Sequence, residues 1–203
     1  MRLLPNLSLQ PSVNVRFLPS GKFFLRFVPL APDLPAADQA ALALEGLAPF
    51  PAGQLYWGCW VAPGRASALV YAAHRRRMTP AEIENWEQAD LAVPDLLPLL
   101  GARPAKPTLL IQVGEAHLVG AAWAGGDAAQ PAAVHARSYE AAPTDDERRE
   151  FVAELAARSG IANTSATFLK GPPQARRERD ELRFELLDPA GVPVVAAAVA
   201  RAD

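Results

Sequence analysis

The stretch Ala48-Pro49-Phe50-Pro51-Ala52-Gly53-Gln54-Leu55-Tyr56-Trp57-Gly58-Cys59-Trp60-Val61 decides how the first half of the chain is divided. Proline has no N–H to give a helical ladder and restricts the residue before it, so Pro49 and Pro51 force a helix arriving from upstream to stop. Tyr56, Trp57 and Trp60 fit a pleated, half-buried surface, so a strand begins near Leu55. In a regular strand Tyr56 and Trp60 share one face and Trp57 takes the other. Upstream, Pro35–Leu47 is Ala- and Leu-rich and reads as that helix. Its only charges are Asp38 and Glu45, so an exposed face would be an apolar patch open to a partner. Downstream, Pro63-Gly64-Arg65 turns the chain and Ala66–His74 returns as the second strand of a hairpin.

Val13, Val15 and Phe17 alternate with Asn14, Arg16 and Leu18, which is strand periodicity. Ser20-Gly21 turns, Phe23–Val28 is a second strand, and the two read as a hairpin. Thr79-Pro80-Ala81-Glu82 is a helix start: threonine caps, proline takes the first helical position and glutamate reaches back. Met78 and Ile83 hold the positions of a hydrophobic staple. Leu91–Val93 is a short strand or loop leading to Pro94-Asp95 and the apolar run Leu96–Leu100. Gly101–Pro107, with Pro104 between, breaks the pattern and divides the chain into units 1–103 and 104–203.

Beyond that break, Thr108–Val113 and Ala116–Trp123 form a hairpin around Gly114-Glu115, and Ala133–Tyr139 adds a third antiparallel strand. Thr144-Asp145-Asp146-Glu147 is a second capping box; its helix runs to about Arg158 and stops at Gly160. Phe151 and Leu155, four apart, mark the buried face. Ala166–Leu169, Leu182–Leu187 and Val194–Val199 are late strands, with Pro189-Ala190-Gly191 turning between the last two. Arg176-Arg177-Glu178-Arg179-Asp180-Glu181 mixes signs after a Gly-Pro-Pro run and reads as an exposed loop or helix start. The fold class is α/β, mixed α+β.

Composition excludes several functions. The chain has 203 residues, half of them hydrophobic, enough for a sizeable core. A net charge of -2 gives no electrostatic footprint for nucleic acid. The single cysteine, Cys59, permits no internal disulfide and reads as a buried, inert thiol. No segment is long and apolar enough to span a bilayer, and Met1–Asn6 lacks a signal-peptide core. Lys170-Gly171-Pro172-Pro173 is no phosphate loop, because proline removes backbone donors. Nucleophile-elbow and His-Glu-x-x-His patterns are absent. Of the three histidines, His74, His117 and His135, the last two could face each other across neighbouring strands; with no cysteine or paired acid beside them they make no metal site. Arg75-Arg76-Arg77 either contacts anionic lipid or an acidic partner or is a solvated charge run.

The segment Ala40–Trp60, a helix end followed by the Pro49-Phe50-Pro51 junction and an aromatic strand, resembles the cytoplasmic domain of the type II secretion protein GspL and its relative PilM of type IV pili. The match extends to Lys22–Leu30, Ala66–Thr79 and the step Val93-Pro94-Asp95-Leu96. The resemblance implies a divergent actin-like (ribonuclease H-like) fold of two lobes of mixed sheet with flanking helices. It also implies a non-enzymatic scaffold at the cytoplasmic face of a bacterial inner membrane. The implied partners are the secretion or pilus ATPase and neighbouring inner-membrane assembly proteins, with anchoring through a segment outside this chain; self-association into a homodimer stays open. In that family the place for a nucleotide-binding hairpin corresponds to Ile111–His117, where Gly114 is kept but Gln112 stands where aspartate is expected. Catalytic, cofactor-binding and metal residues are therefore expected to be none. The rival readings are an actin-like ATPase or small kinase relative using Gly114 and a carboxylate such as Asp127, and an orphan interaction domain.

Overall fold

The computed structural model describes residues 13–62, 64, 66–162, 164–178, 181–187 and 193–200. Met1–Asn6, most of the Pro63-Gly64-Arg65 turn and Pro189-Ala190-Gly191 lie outside them. The expected mixture of helix and sheet is present, with twelve strands and three α-helices among the described residues.

Strands β2 (Phe24–Pro29), β3 (Leu55–Val61) and β4 (Ser67–His74) form an antiparallel sheet in the order β2-β4-β3. Helix α1 (Ala36–Leu47) buries Ala40 and Leu44 against one face of it, together with Val28, Leu55, Ala68, Val70 and Ala72. No side chain of Pro35 can cap this helix; instead the Gln39 amide donates to the Leu34 and Ala31 carbonyls and accepts from the Ala31 N–H. The helix ends at Leu47, just ahead of the two prolines, as expected. Tyr56 and Trp60 do share a face, while Trp57 points to the α1 side.

On the opposite face lies α2 (Pro80–Gln88), started by a complete capping box. The Glu82 carboxylate accepts from the Thr79 N–H and hydroxyl, and Lys22 Nζ stands 2.5 Å from the same oxygen. Met78 joins a cluster with Phe23, Tyr56 and Tyr71, against which Ile83 and Trp86 pack.

The expected hairpin of Val13–Val28 is not what forms. Strand β1 (Val15–Leu18) pairs in parallel with β5 (Leu91–Pro94), from Val15 opposite Leu91 to Leu18 opposite Pro94, while β2 pairs with β4. Five residues, with a 3₁₀ turn at Ser20–Lys22, separate β1 from β2, and they swing the chain from one pairing into the other.

In the second half, β6 (Thr108–Val113), β7 (His117–Trp123), β8 (Ala133–Ser138) and β9 (Ser165–Lys170) make a sheet in the order β8-β7-β6-β9. The first three form an antiparallel meander, and β9 runs parallel to β6. Helix α3 (Asp145–Ser159) is the crossover, packing Phe151 and Leu155 against Leu109, Ile111, Leu118 and Ala122. Its capping box at Thr144 and its left-handed stop at Gly160 (φ 64°) are both as the sequence indicates. The stretch expected as a loop or helix start near Arg176 is instead strand β10 (Pro173–Glu178). It pairs with β11 (Glu181–Leu187), which pairs with β12 (Pro193–Ala200). Pairing along the whole length of β10, from Pro173 opposite Leu186 to Glu178 opposite Glu181, makes it a strand.

One core runs between the two sheets. A 3₁₀ turn at Leu97–Gly101, preceded by Leu96, buries Leu96, Leu97, Leu99 and Leu100 among Trp60, Leu69, Val119, Trp123, Leu169 and Phe184.

Candidate functional site

The prolines that end β1 and β5 create the most polar place in this interior. Pro94 has no N–H and Pro19 follows Leu18, so the ladder between β1 and β5 ends after one more backbone bond, from the Asp95 N–H to the Leu18 carbonyl at 3.0 Å. Beyond it side chains take over. Asp95 Oδ1 accepts from the Ser20 N–H at 2.9 Å and the Ser20 hydroxyl at 2.5 Å, and Ser20 Oγ in turn accepts from the Leu96 N–H at 2.9 Å. Ser20 is fully buried and Asp95 is 5% exposed.

The second oxygen of Asp95 faces the other half of the chain. His117 Nε2, at the start of β7, lies 2.7 Å from Asp95 Oδ2. At this distance a hydrogen bond and charge attraction act together. The Asp95 contact pushes the imidazole above the ordinary histidine value, outweighing burial, which acts the other way; Glu115 adds to the rise.

Two glycines let the segments come this close. A Cβ on Gly114 would overlap the His117 ring, and one on Gly21 would overlap Ser138 of β8. Gln112, on the same face of β6, is 2% exposed; its Nε2 reaches the Gly171 carbonyl at 3.5 Å, and its Oε1 has no partner among the described residues. The Ser20–Lys22 turn, the Asp95 turn and the Gly114 hairpin thus meet in a filled junction. Two open grooves lie elsewhere. One of about 370 Å³ runs along Phe27, Pro29, Ser67 and Gln130. A polar one of about 560 Å³ is lined by Asn14, Arg16, Asn85 and Gln174, among others.

Sequence reasoning found Gly114 and Gln112 but missed Ser20, Asp95 and His117 as a unit. Asp95 entered only as part of the step Val93–Leu96. The signal, in hindsight, was the pair of prolines at the ends of two apolar strands, each followed within one residue by a side chain that can hydrogen-bond. Gly114 and Asp127 do not converge: β7 intervenes, and its seven residues span about 20 Å. Asp127 is exposed in the loop past the far end. Nor do His117 and His135 face each other. His135 lies opposite Gly120, three residues from His117, and so on the other face. There it stacks on Phe151 with centroids 4.9 Å apart and meets Glu154 at 2.8 Å.

The arginine triplet forms an exposed 3₁₀ turn. His74 Nδ1 accepts from the Arg76 N–H, Arg75 lies over the Tyr56 ring at 4.7 Å, and Arg77 reaches the Gly21 carbonyl at 3.5 Å. The outer face of α1 shows Leu42, 71% exposed, between Asp38 and Glu45. Strand β9 ends its sheet, and Phe168 on it is 43% exposed. Cys59 is half-buried against the α1 side, and burial pushes its thiol up, away from the reactive thiolate form.

No family model matches the chain. No curated protein matches it either. Among solved structures it is similar to a Bacteroides thetaiotaomicron protein described as having an actin-like ATPase fold and unknown function (TM-score 0.49, 9% identity, 77% of this chain and 58% of that one). It is similar also to the cytoplasmic domain of EpsL, an inner-membrane component of the Vibrio cholerae type II secretion system (TM-score 0.48, 15% identity, 81% and 64%). A third is the PilM–PilN type IV pilus biogenesis complex (TM-score 0.40, 19% identity, 72% and 48%). The chain spans between about half and two thirds of the length of these structures.

Proposed function

We propose that this chain is a non-enzymatic scaffold domain of a type II secretion or type IV pilus-like platform, acting at the cytoplasmic face of a bacterial inner membrane. In this reading it has the divergent actin-like architecture, with lobes at 1–103 and 104–203. The observation that carries the non-enzymatic part is the filled junction. The Gly114 hairpin, the place where the resemblance would put a phosphate-binding hairpin, closes with the Ser20–Lys22 turn on buried side chains. The buried carboxylate there, Asp95, is taken up by Ser20 and His117 and is not free to hold a metal-bound triphosphate; the hairpin's other carboxylate, Glu115, is exposed. The secretion or pilus part rests on the resemblance of Ala40–Trp60 and its flanking segments.

Docking of the assembly ATPase uses an exposed element. The outer face of α1 around Leu42 and the edge of β9 around Phe168 are the described surfaces suited to it. The test is calorimetric titration of this chain with the assembly ATPase of the same organism, repeated with Leu42→Glu and Phe168→Glu. Saturable binding weakened at least about tenfold by one of the two supports the reading. Absence of binding overturns ATPase docking, and binding that neither change affects overturns these surfaces.

A further inference from the structure

We infer that Asp95 and His117 form a proton-operated clasp that holds the Gly114 hairpin against the Ser20 and Asp95 turns, and that deprotonation of His117 loosens it. This goes beyond the scaffold reading and does not depend on it.

The two ends of the clasp are held very differently. Asp95 is fixed: its other oxygen takes two donors from Ser20, and Ser20 takes the Leu96 N–H. His117 hangs from the start of β7, at the mouth of a hairpin whose turn holds Gly114, Glu115 and Ala116. Its side chain is 19% exposed, so a proton can reach it, while that of Asp95 is 7% exposed. A protonated imidazole beside a buried carboxylate is a charge pair with little water between its members. A neutral imidazole at the same place keeps the short approach to Asp95 but not the charge. Protonation therefore sets how strongly the hairpin is held.

The groups around the imidazole do not confuse this response. Asp95 from its turn and Glu115 from the hairpin are the charges that act on it. Ser20 from the first turn and Ser138, opposite His117 on β8, are uncharged. Lys22, next in that turn, is paired with Glu82; Arg137 of β8 turns to Glu150 and Glu154. Arg77 reaches the turn only at the Gly21 carbonyl. Since His117 is raised in the folded state, its stabilising effect is complete below the ordinary histidine value and fades as pH rises through its folded one.

The motion this permits is local. The β6–β7 ladder begins at Val113 and Leu118; beyond it the turn is tied by the Gly114 N–H to the His117 carbonyl and the Tyr139 N–H to the Ala116 carbonyl, so opening is confined to the hairpin turn. What is released is the apposition of the hairpin with Ser20 and Asp95.

The experiment is NMR titration of the histidines combined with amide hydrogen exchange at about pH 5.5 and about pH 8.5, across the histidine range. His117 should titrate above 6.5 in the wild type and fall towards it in Asp95→Asn. Opening constants, corrected for intrinsic exchange, should rise with pH for the Gly114, His117 and Ser20 amides. The factor of that rise is the ratio of the imidazole's dissociation constants in the open and closed forms. Amides within α1 serve as the reference and should not change. His117→Gln should remove the pH dependence of the hairpin. A His117 that titrates at or below 6.5 overturns the proposal. So does local opening that is independent of pH, or opening that rises equally in α1.

Discussion

Ser20 Oγ and Asp95 Oδ1 lie 2.5 Å apart although seventy-five residues separate them in the chain. The contact ties the turn after β1 to the turn after β5 at the point where prolines end the ladder between them. Both side chains are buried, so removing either leaves a polar group without water or partner. Asp95→Ala should destabilise the fold by about 2–4 kcal/mol, because the Ser20 donors and His117 are all orphaned. Ser20→Ala should cost less, about 1–3 kcal/mol, since the Ser20 N–H still reaches the carboxylate. Urea unfolding followed by tryptophan fluorescence checks both, and an Asp95→Ala variant as stable as the wild type would contradict the network.

Gly114→Ala places a methyl where the His117 ring lies. The ring is the movable partner, so it should swing off Asp95. The histidine then loses the hydrogen bond and charge of Asp95 that raise it and should titrate closer to 6.5. NMR titration of the variant reads this directly; an unchanged His117 would mean that the ring does not rest on the glycine.

His135 should behave in the opposite sense. Burial pushes its pKa down, against the pull of Glu154, while Arg158 and Arg137 add to the lowering. Its folded form binds a proton less readily than the unfolded chain does, so it costs stability as pH falls through the ordinary histidine range. His117 gains over the same interval. His117→Gln should therefore make acid destabilisation steeper, and His135→Gln should make it shallower. Unfolding midpoints measured between about pH 5 and about pH 8 separate the two histidines by sign.

Thr144→Ala removes the hydroxyl that accepts from the Glu147 N–H at the start of α3. The expected cost is about 1 kcal/mol. Thr79→Ala at α2 should cost at least as much. Its capping partner Glu82 also binds Lys22, so the cap and the Ser20–Lys22 turn share one carboxylate. Urea unfolding of Thr79→Ala, Lys22→Ala and the double variant shows the coupling as non-additivity between Thr79 and Lys22, with Thr144→Ala as the uncoupled reference.

These two caps, and the helices they begin, were legible from four-residue motifs, because capping is local chemistry. So was the stop at Pro49 and Pro51. The hairpin around Gly64 and the β6–β7 hairpin were legible for the same reason: a short glycine turn joins two apolar strands that follow each other in the chain. Pairings over long separations were not. The partner of Val15–Leu18 proved to be Leu91–Pro94, and no feature of either segment names the other. The junction depends on that pairing. Ser20 reads as a turn residue and Asp95 as part of the step into the apolar run Leu96–Leu100 until β1 and β5 lie side by side. Gln112 and Gly114 pointed to the right hairpin, but the residue that fills it, His117, was read only as a strand histidine.

The account turns on whether the junction of Ser20, Asp95, Gly114 and His117 is closed to phosphate. Calorimetric titration of the protein with ATP and magnesium tests this most directly. A closed junction predicts no saturable heat with magnesium and ATP together. Saturable, magnesium-dependent binding that Asp95→Asn abolishes would contradict it, because the carboxylate would then be holding a nucleotide's metal instead of a histidine.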